Sequence, residues 1–139
     1  MFHPQKCVMM NLGLQKGITS EHSNLVEYPY SMEGHNLEYS VCEKDLGVHI
    51  DRDLSFDKHI NFSINKANRV LAITKKTFEN IDKETFLYIF KGLVRPHLEY
   101  ASSVWSPHLI KHIEALESVQ RRATKQVPGL SKLPYSERL

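Results

Sequence analysis

Apolar residues recur along this chain with two different periods, and the change falls near Ser55. From there Ile60, Ile64, Ala67, Leu71, Thr74 and Phe78 recur at steps of four and three, which places them on one stripe of a helix. Ser55 is the expected N-cap, and Lys58, Arg69 and Lys76 fall on the opposite face. Asp82 caps a second helix, whose stripe of Phe86, Ile89, Phe90 and Leu93 continues through His97, Tyr100 and Val104 without losing phase. Pro96 lies inside that stripe. Its ring presses on the carbonyl four residues back, that of Gly92, so one kinked helix is expected from about Lys83 to about Val104. Ser106-Pro107 opens a third helix in the order of cap then first-turn proline, with a stripe of Leu109, Ile113, Leu116, Gln120, Ala123 and Val127. Pro128-Gly129 stops it, and Leu133 to Leu139 reads as the first turn of a fourth helix cut off by the C-terminus.

Before Ser55 the period is two. Lys6 to Gly13 is a strand-length apolar run closed by glycine, and Gln15 to Val26 is polar and aperiodic, hence a loop. Tyr28 to Met32 and Leu37 to Val41 flank Glu33-Gly34-His35-Asn36, where glycine and asparagine suit a hairpin turn. Asp45 to Asp51 reads as a further strand alternating Leu46, Val48 and Ile50. The fold class expected is therefore α+β, with residues 1–54 carrying short antiparallel strands and residues 55–139 three main helices.

Charge follows the same division. Up to Ser55 four basic residues face eight acidic ones, a balance of −4; from Phe56 on, fourteen face eight, a balance of +6. A positive helical half suits a phosphate-bearing partner. No apolar run approaches the ~18 residues of a membrane span, and the N-terminus does not read as a signal peptide, so an intracellular chain, cytoplasmic or nuclear, is expected. Cys7 and Cys42 form no Cys-x-x-Cys pair and read as reduced thiols.

Several segments carry a likeness in common order. Phe2-His3-Pro4-Gln5-Lys6-Cys7 with Val8-Met9, Gly34 with Leu37-Glu38, Lys44-Asp45-Leu46-Gly47-Val48, Lys66-Ala67-Asn68-Arg69-Val70-Leu71, Leu93 to Ala101, Trp105-Ser106-Pro107 and Gln120-Arg121-Arg122-Ala123-Thr124 resemble the region downstream of the catalytic centre in reverse transcriptases of jockey-like, non-long-terminal-repeat (LINE-type) retrotransposons. The resemblance implies that residues 1–54 are the end of a palm subdomain and residues 55–139 a thumb truncated at its C-terminus. It further implies that Leu46 and Gly47 stand at a primer grip, and that the chain grips an RNA/DNA template–primer duplex.

Departures from the family pattern bound that function. Polymerases of this kind hold two magnesium ions on an aspartate and an adjacent Asp-Asp pair, because attacking and leaving oxygens must both be stabilised. No such pair occurs here. Asp51-Arg52-Asp53 is its nearest imitation and reads better as turn and cap. The expectation is a fragment with no cofactor of its own, inactive alone, whose partners are the duplex and the missing catalytic part of the polymerase. The alternative is a non-enzymatic helical interaction module derived from a retroelement. Arg121, Arg122 and Lys125 on the third helix join Lys58, Arg69 and Lys76 as candidates for sequence-independent phosphate contacts. Glu117 with Arg121 at i,i+4 spacing offers the plainer account, a solvated helix face. His108 and His112 read as solvated helix histidines, His97 as a hydrogen-bonded core histidine, Cys7 as a small buried hydrophobe, and Trp105 with Tyr100 as packing rather than a base-stacking platform.

Overall fold

The computed structural model describes residue 3, residues 6–13 and residues 30–138, and divides into two compact units, Met1–Lys58 and His59–Leu139. The loop expected over Gln15 to Val26 and the start of the first hairpin strand, Tyr28-Pro29, lie outside the described residues. The order is mixed α and β, with strands first and helices after.

Among the described residues the first unit holds three two-stranded ladders. β1 (Val8–Met9) pairs in parallel with β4 (Glu38–Tyr39), and β2 (Ser31–Met32) pairs antiparallel with β3 (His35–Asn36). The hairpin is thus tighter than its sequence suggested. Glu33 and Gly34 alone form the turn, at φ 49° and 80°; Leu37 still pairs back, its N–H donating to the Tyr30 carbonyl at 2.7 Å, and Glu38–Tyr39 then supplies the partner of β1. The run from Asp45 to Asp51 is likewise not one strand. β5 (Cys42–Asp45) and β6 (Val48–Asp51) are antiparallel, joined by Leu46 and Gly47 at φ 45° and 87°. Positive φ at both central residues matches the right-handed twist of the flanking strands. It also lifts Leu46 out of the expected alternation, to 85% exposure, while Val48 is buried.

The second unit is helical. α1 (Asp57–Thr77) carries Asp57 in its first turn and Lys75 and Lys76 in its last, each sign set against the helix dipole. Ser55 serves the start of this helix by accepting a hydrogen bond from the Asp57 N–H at 3.3 Å. The expected stripe is largely met: Ile60, Ala67, Leu71 and Thr74 are buried and Ile64 half-buried, with Phe78 exposed one residue past the end of the helix. α2 (Lys83–Ile89) is capped as expected by Asp82, whose carboxylate accepts the Thr85 N–H at 2.9 Å.

Hydrogen bonding from Thr85 holds the Asp82 carboxyl below its usual range. A carboxyl depressed in the folded state stabilises it above the unfolded pKa, about 4, and that contribution is lost as pH falls through the folded value. Asp82→Asn, which keeps an acceptor but cannot titrate, is expected to flatten the acid limb of a helicity-against-pH curve. An unchanged limb would mean the cap does not couple to folding.

Beyond α2 the second helix departs from its predicted phase. A π turn (Phe90–Val94) precedes α3 (Arg95–Glu99), with the Arg95 N–H bonded to the Phe90 carbonyl five residues back. Pro96 has no N–H to give, and one extra residue in the preceding turn absorbs its ring. The insertion shifts the buried face by one position. Val94 is fully buried and Leu93 is 57% exposed. The helix also stops at Glu99 rather than Val104, because Ala101 is left-handed at φ 54°. α4 (Ser102–Trp105) then buries Trp105, whose indole N–H donates to the Tyr100 carbonyl at 2.7 Å, while Tyr100 and Val104 remain exposed.

α5 (Ile110–Thr124) begins after Leu109, three residues later than the Ser106-Pro107 start expected from sequence. Its buried line is His112, Val119 and Ala123, continuing to Val127, so Ile113 and Gln120 are displaced from the stripe. Ala67 and Leu71 of α1, Phe86, Val94, Val119 and Ala123 form one apolar cluster with Ile81 and Val127. Burying a valine there is worth about 1.5–3 kcal/mol. α6 (Tyr135–Arg138) is the expected short final turn.

Candidate nucleic-acid interface

Lys58, Arg69 and Lys76 lie eleven and seven residues apart on α1, near whole numbers of turns, so they share one ridge. At 1.5 Å per residue the ridge is roughly 27 Å long. All three side chains are exposed, and among the described residues none has an acidic partner. At the head of the ridge His49 responds to the local field: burial, then the positive charges of Lys58 and Lys44, push its imidazole below the ordinary value.

The cations of α5 divide. Arg121 is held by Glu117 at 2.7 Å, both about half exposed, and its guanidinium lies 5.1 Å from the Tyr135 ring. The solvated i,i+4 pair is therefore present, and Arg121 is the weakest of the six phosphate candidates. Arg122 reaches across to α1, donating to the Asn68 side-chain oxygen at 2.7 Å. With Lys125 and Lys75 it borders a groove of about 520 Å³ between α1 and the end of α5, floored by Leu71 and Ile81. Arg122 and Lys125 are thus brought together, away from the ridge of Lys58, Arg69 and Lys76. Lys75 and Gln126 escaped the sequence reading. Asn68 and Lys75, seven residues apart on α1, were the available signal for a second polar line on that helix.

Leu46 and Gly47, the primer-grip candidates, occupy the tip of the β5–β6 hairpin. Left-handed backbone costs a non-glycine residue roughly 1–2 kcal/mol, and asparagine tolerates it best. Leu46→Asn is therefore expected to stabilise the fold by ~1 kcal/mol in chemical denaturation. A loss of stability instead would show the leucine side chain to be a packing element.

Asp51-Arg52-Asp53 does not suit a two-metal site. Both oxygens of Asp51 are engaged by Ser55, its N–H at 2.7 Å and its hydroxyl at 2.9 Å, and Asp53 is exposed in the turn that follows β6. Turn and cap are the roles found. Among the described residues no three of His, Cys, Asp and Glu converge as metal ligands.

The remaining candidates fall into place by burial. Trp105, 2% exposed, meets the His59 ring edge-on at 5.2 Å, which makes it a packing residue and no stacking platform. His112 is buried rather than solvated, whereas His108 is exposed as expected. His97 is half-buried, and the half-buried Cys7 thiol donates to the His3 carbonyl at 3.5 Å. Both cysteines are free, and among the described residues no helix is long and apolar enough to cross a membrane. Comparison with protein-family models, with curated proteins and with solved structures returns no match.

Proposed function

We infer that this chain is the palm-end and thumb portion of a retrotransposon RNA-directed DNA polymerase and that it grips the RNA/DNA template–primer duplex. The observation that carries this reading is the outward ridge of Lys58, Arg69 and Lys76, three exposed cations in line on one long helix without acidic partners among the described residues. Such a line contacts phosphates without reading bases. The ordered likeness of segments from Phe2 to Thr124 supplies the polymerase context. The Leu46-Gly47 tip then stands toward the primer end, and the magnesium-binding aspartates belong to a catalytic part with which this chain works.

A second reading is favoured by one feature. Leu87, Tyr88 and Leu93 are 41%, 70% and 57% exposed along α2 and the π turn, as befits a helical interaction module that recognises protein. Binding to an RNA/DNA hybrid of arbitrary sequence, measured against salt, separates the two. The duplex reading expects log affinity to fall linearly with log salt. Absence of salt-sensitive binding would pass the function to the interaction module.

A further inference from the structure

The second helix carries an exposed apolar pair flanked by opposite charges in mirror order. Phe86 and Val94 turn α2 and the π turn toward the core, at 3% and 0% exposure, and Glu84, Leu87, Tyr88 and Lys91, at steps of three, one and three, lie on the side away from them. All four are exposed, Leu87 by 41% and Tyr88 by 70%. Glu84 and Lys91 stand about 10 Å apart along the helix axis, too far to pair with each other. Neither has an ion-pair partner among the described residues. Gly92 is exposed one turn beyond Tyr88, and a Cβ on it would meet nothing within 4 Å, so the chain's own packing leaves that flank open.

We propose that this face binds a second copy of the chain, helix against antiparallel helix, in a two-fold dimer. An isologous interface requires one patch to be complementary to itself, and the order acidic, apolar, apolar, basic meets that requirement. A two-fold axis through the midpoint of Leu87 and Tyr88 sets Glu84 of each copy against Lys91 of the other, because the two charges lie equally far from that midpoint in sequence. Leu87 and Tyr88 of one copy then cover the same pair of the other, and Gly92 leaves room for the backbones to approach. Parallel pairing in register sets like charge against like at both ends and is disfavoured. One short helix pair falls at the low end of specific interfaces, under ~1,200 Å² in total, so the association is weak, with a Kd on the order of micromolar or above. The dimer goes beyond the duplex reading, uses none of Lys58, Arg69 and Lys76, and gives the exposed face of the second reading a definite occupant.

Sedimentation equilibrium of the full chain, from micromolar to millimolar concentration, is expected to show monomer and dimer in exchange. Leu87→Asp, at an exposed position, should leave monomer alone while circular dichroism stays that of the parent. Glu84→Lys and Lys91→Glu each oppose like charges at both ends of the pair, and each should weaken self-association about tenfold. Mixed in equal amounts, these two single variants should pair with each other about as tightly as the parent pairs with itself, and a chain carrying both changes should regain the parent's affinity. Rescue of this kind requires the two positions to meet across the interface. A parent that stays monomeric throughout would overturn the proposal, as would single charge variants that dimerise like the parent, or weakened variants that neither the mixture nor the double change restores. Binding of the Leu87→Asp variant to hybrid duplex, measured against salt on the same samples, keeps failure of this face distinct from failure of the ridge on α1.

Discussion

Replacing Lys58, Arg69 and Lys76 together with glutamine is expected to flatten the salt dependence of hybrid binding by up to ~2.7 in the slope of log affinity against log salt. Each phosphate neutralised by a cation contributes about 0.9, because its condensed counterion is released on binding. Over a fourfold rise in salt the parent would then lose about fortyfold more affinity than the variant. The loss should be alike on unrelated sequences, since phosphate contacts carry no base information. All three side chains are exposed on the polar face of α1, so thermal stability should stay within about 0.5 kcal/mol of the parent.

Arg121→Gln is the internal control for that experiment. Glu117 already neutralises Arg121 in an exposed i,i+4 pair, and such pairs contribute only ~0.3–0.5 kcal/mol. Its removal should leave the slope unchanged. A triple variant that binds like the parent, beside an Arg121→Gln variant that does not, would move the interface from α1 to α5.

What was legible in the sequence and what was not divide along physical lines. α1 was readable because its stripe is unbroken by proline or glycine and its apolar members Ile60, Ala67 and Leu71 are buried, although His59 and Ser63 are buried beside them. The cap at Asp82 was readable because an aspartate ahead of a helix has one local task, meeting the Thr85 N–H. The first hairpin was placed approximately and the second was read as one strand, since two-residue turns at Glu33-Gly34 and Leu46-Gly47 depend on a left-handed Glu33 and Leu46 that propensity disfavours. In α5 the stripe was assigned to Ile113 over His112, yet the histidine is buried and the isoleucine 41% exposed. Hydrophobicity alone decided wrongly there, because Val119 and Ala123 fix the phase. The functional candidates fared similarly: the ridge of α1 follows from spacing on one helix, whereas the groove joins Lys75 to Gln126 across two elements, a pairing no local period encodes.

The second helix gives the sharpest test, because sequence and structure make opposite predictions at adjacent residues. An unbroken α-helical stripe buries Leu93, whereas the π turn before Pro96 buries Val94 instead. Leu93→Asp is therefore expected to change stability by no more than about 0.5 kcal/mol, as exposed substitutions do. Val94→Asp places a carboxylate where the native residue is 0% exposed, inside the cluster with Phe86, Val119 and Ala123. An unpaired buried charge costs several kcal/mol, a large part of the ~5–15 kcal/mol that holds a domain folded. The helical unit should accordingly lose its cooperative melt, read by far-ultraviolet circular dichroism, in the Val94 variant alone. Val94→Ala keeps the test within a folded protein, with an expected loss of roughly 1–3 kcal/mol, against no measurable change for Leu93→Ala beyond its small exposed-surface contribution. If the ranking is reversed, the helix runs through Pro96 without the inserted residue, and the exposed apolar line of Leu87, Tyr88 and Leu93 turns inward as core.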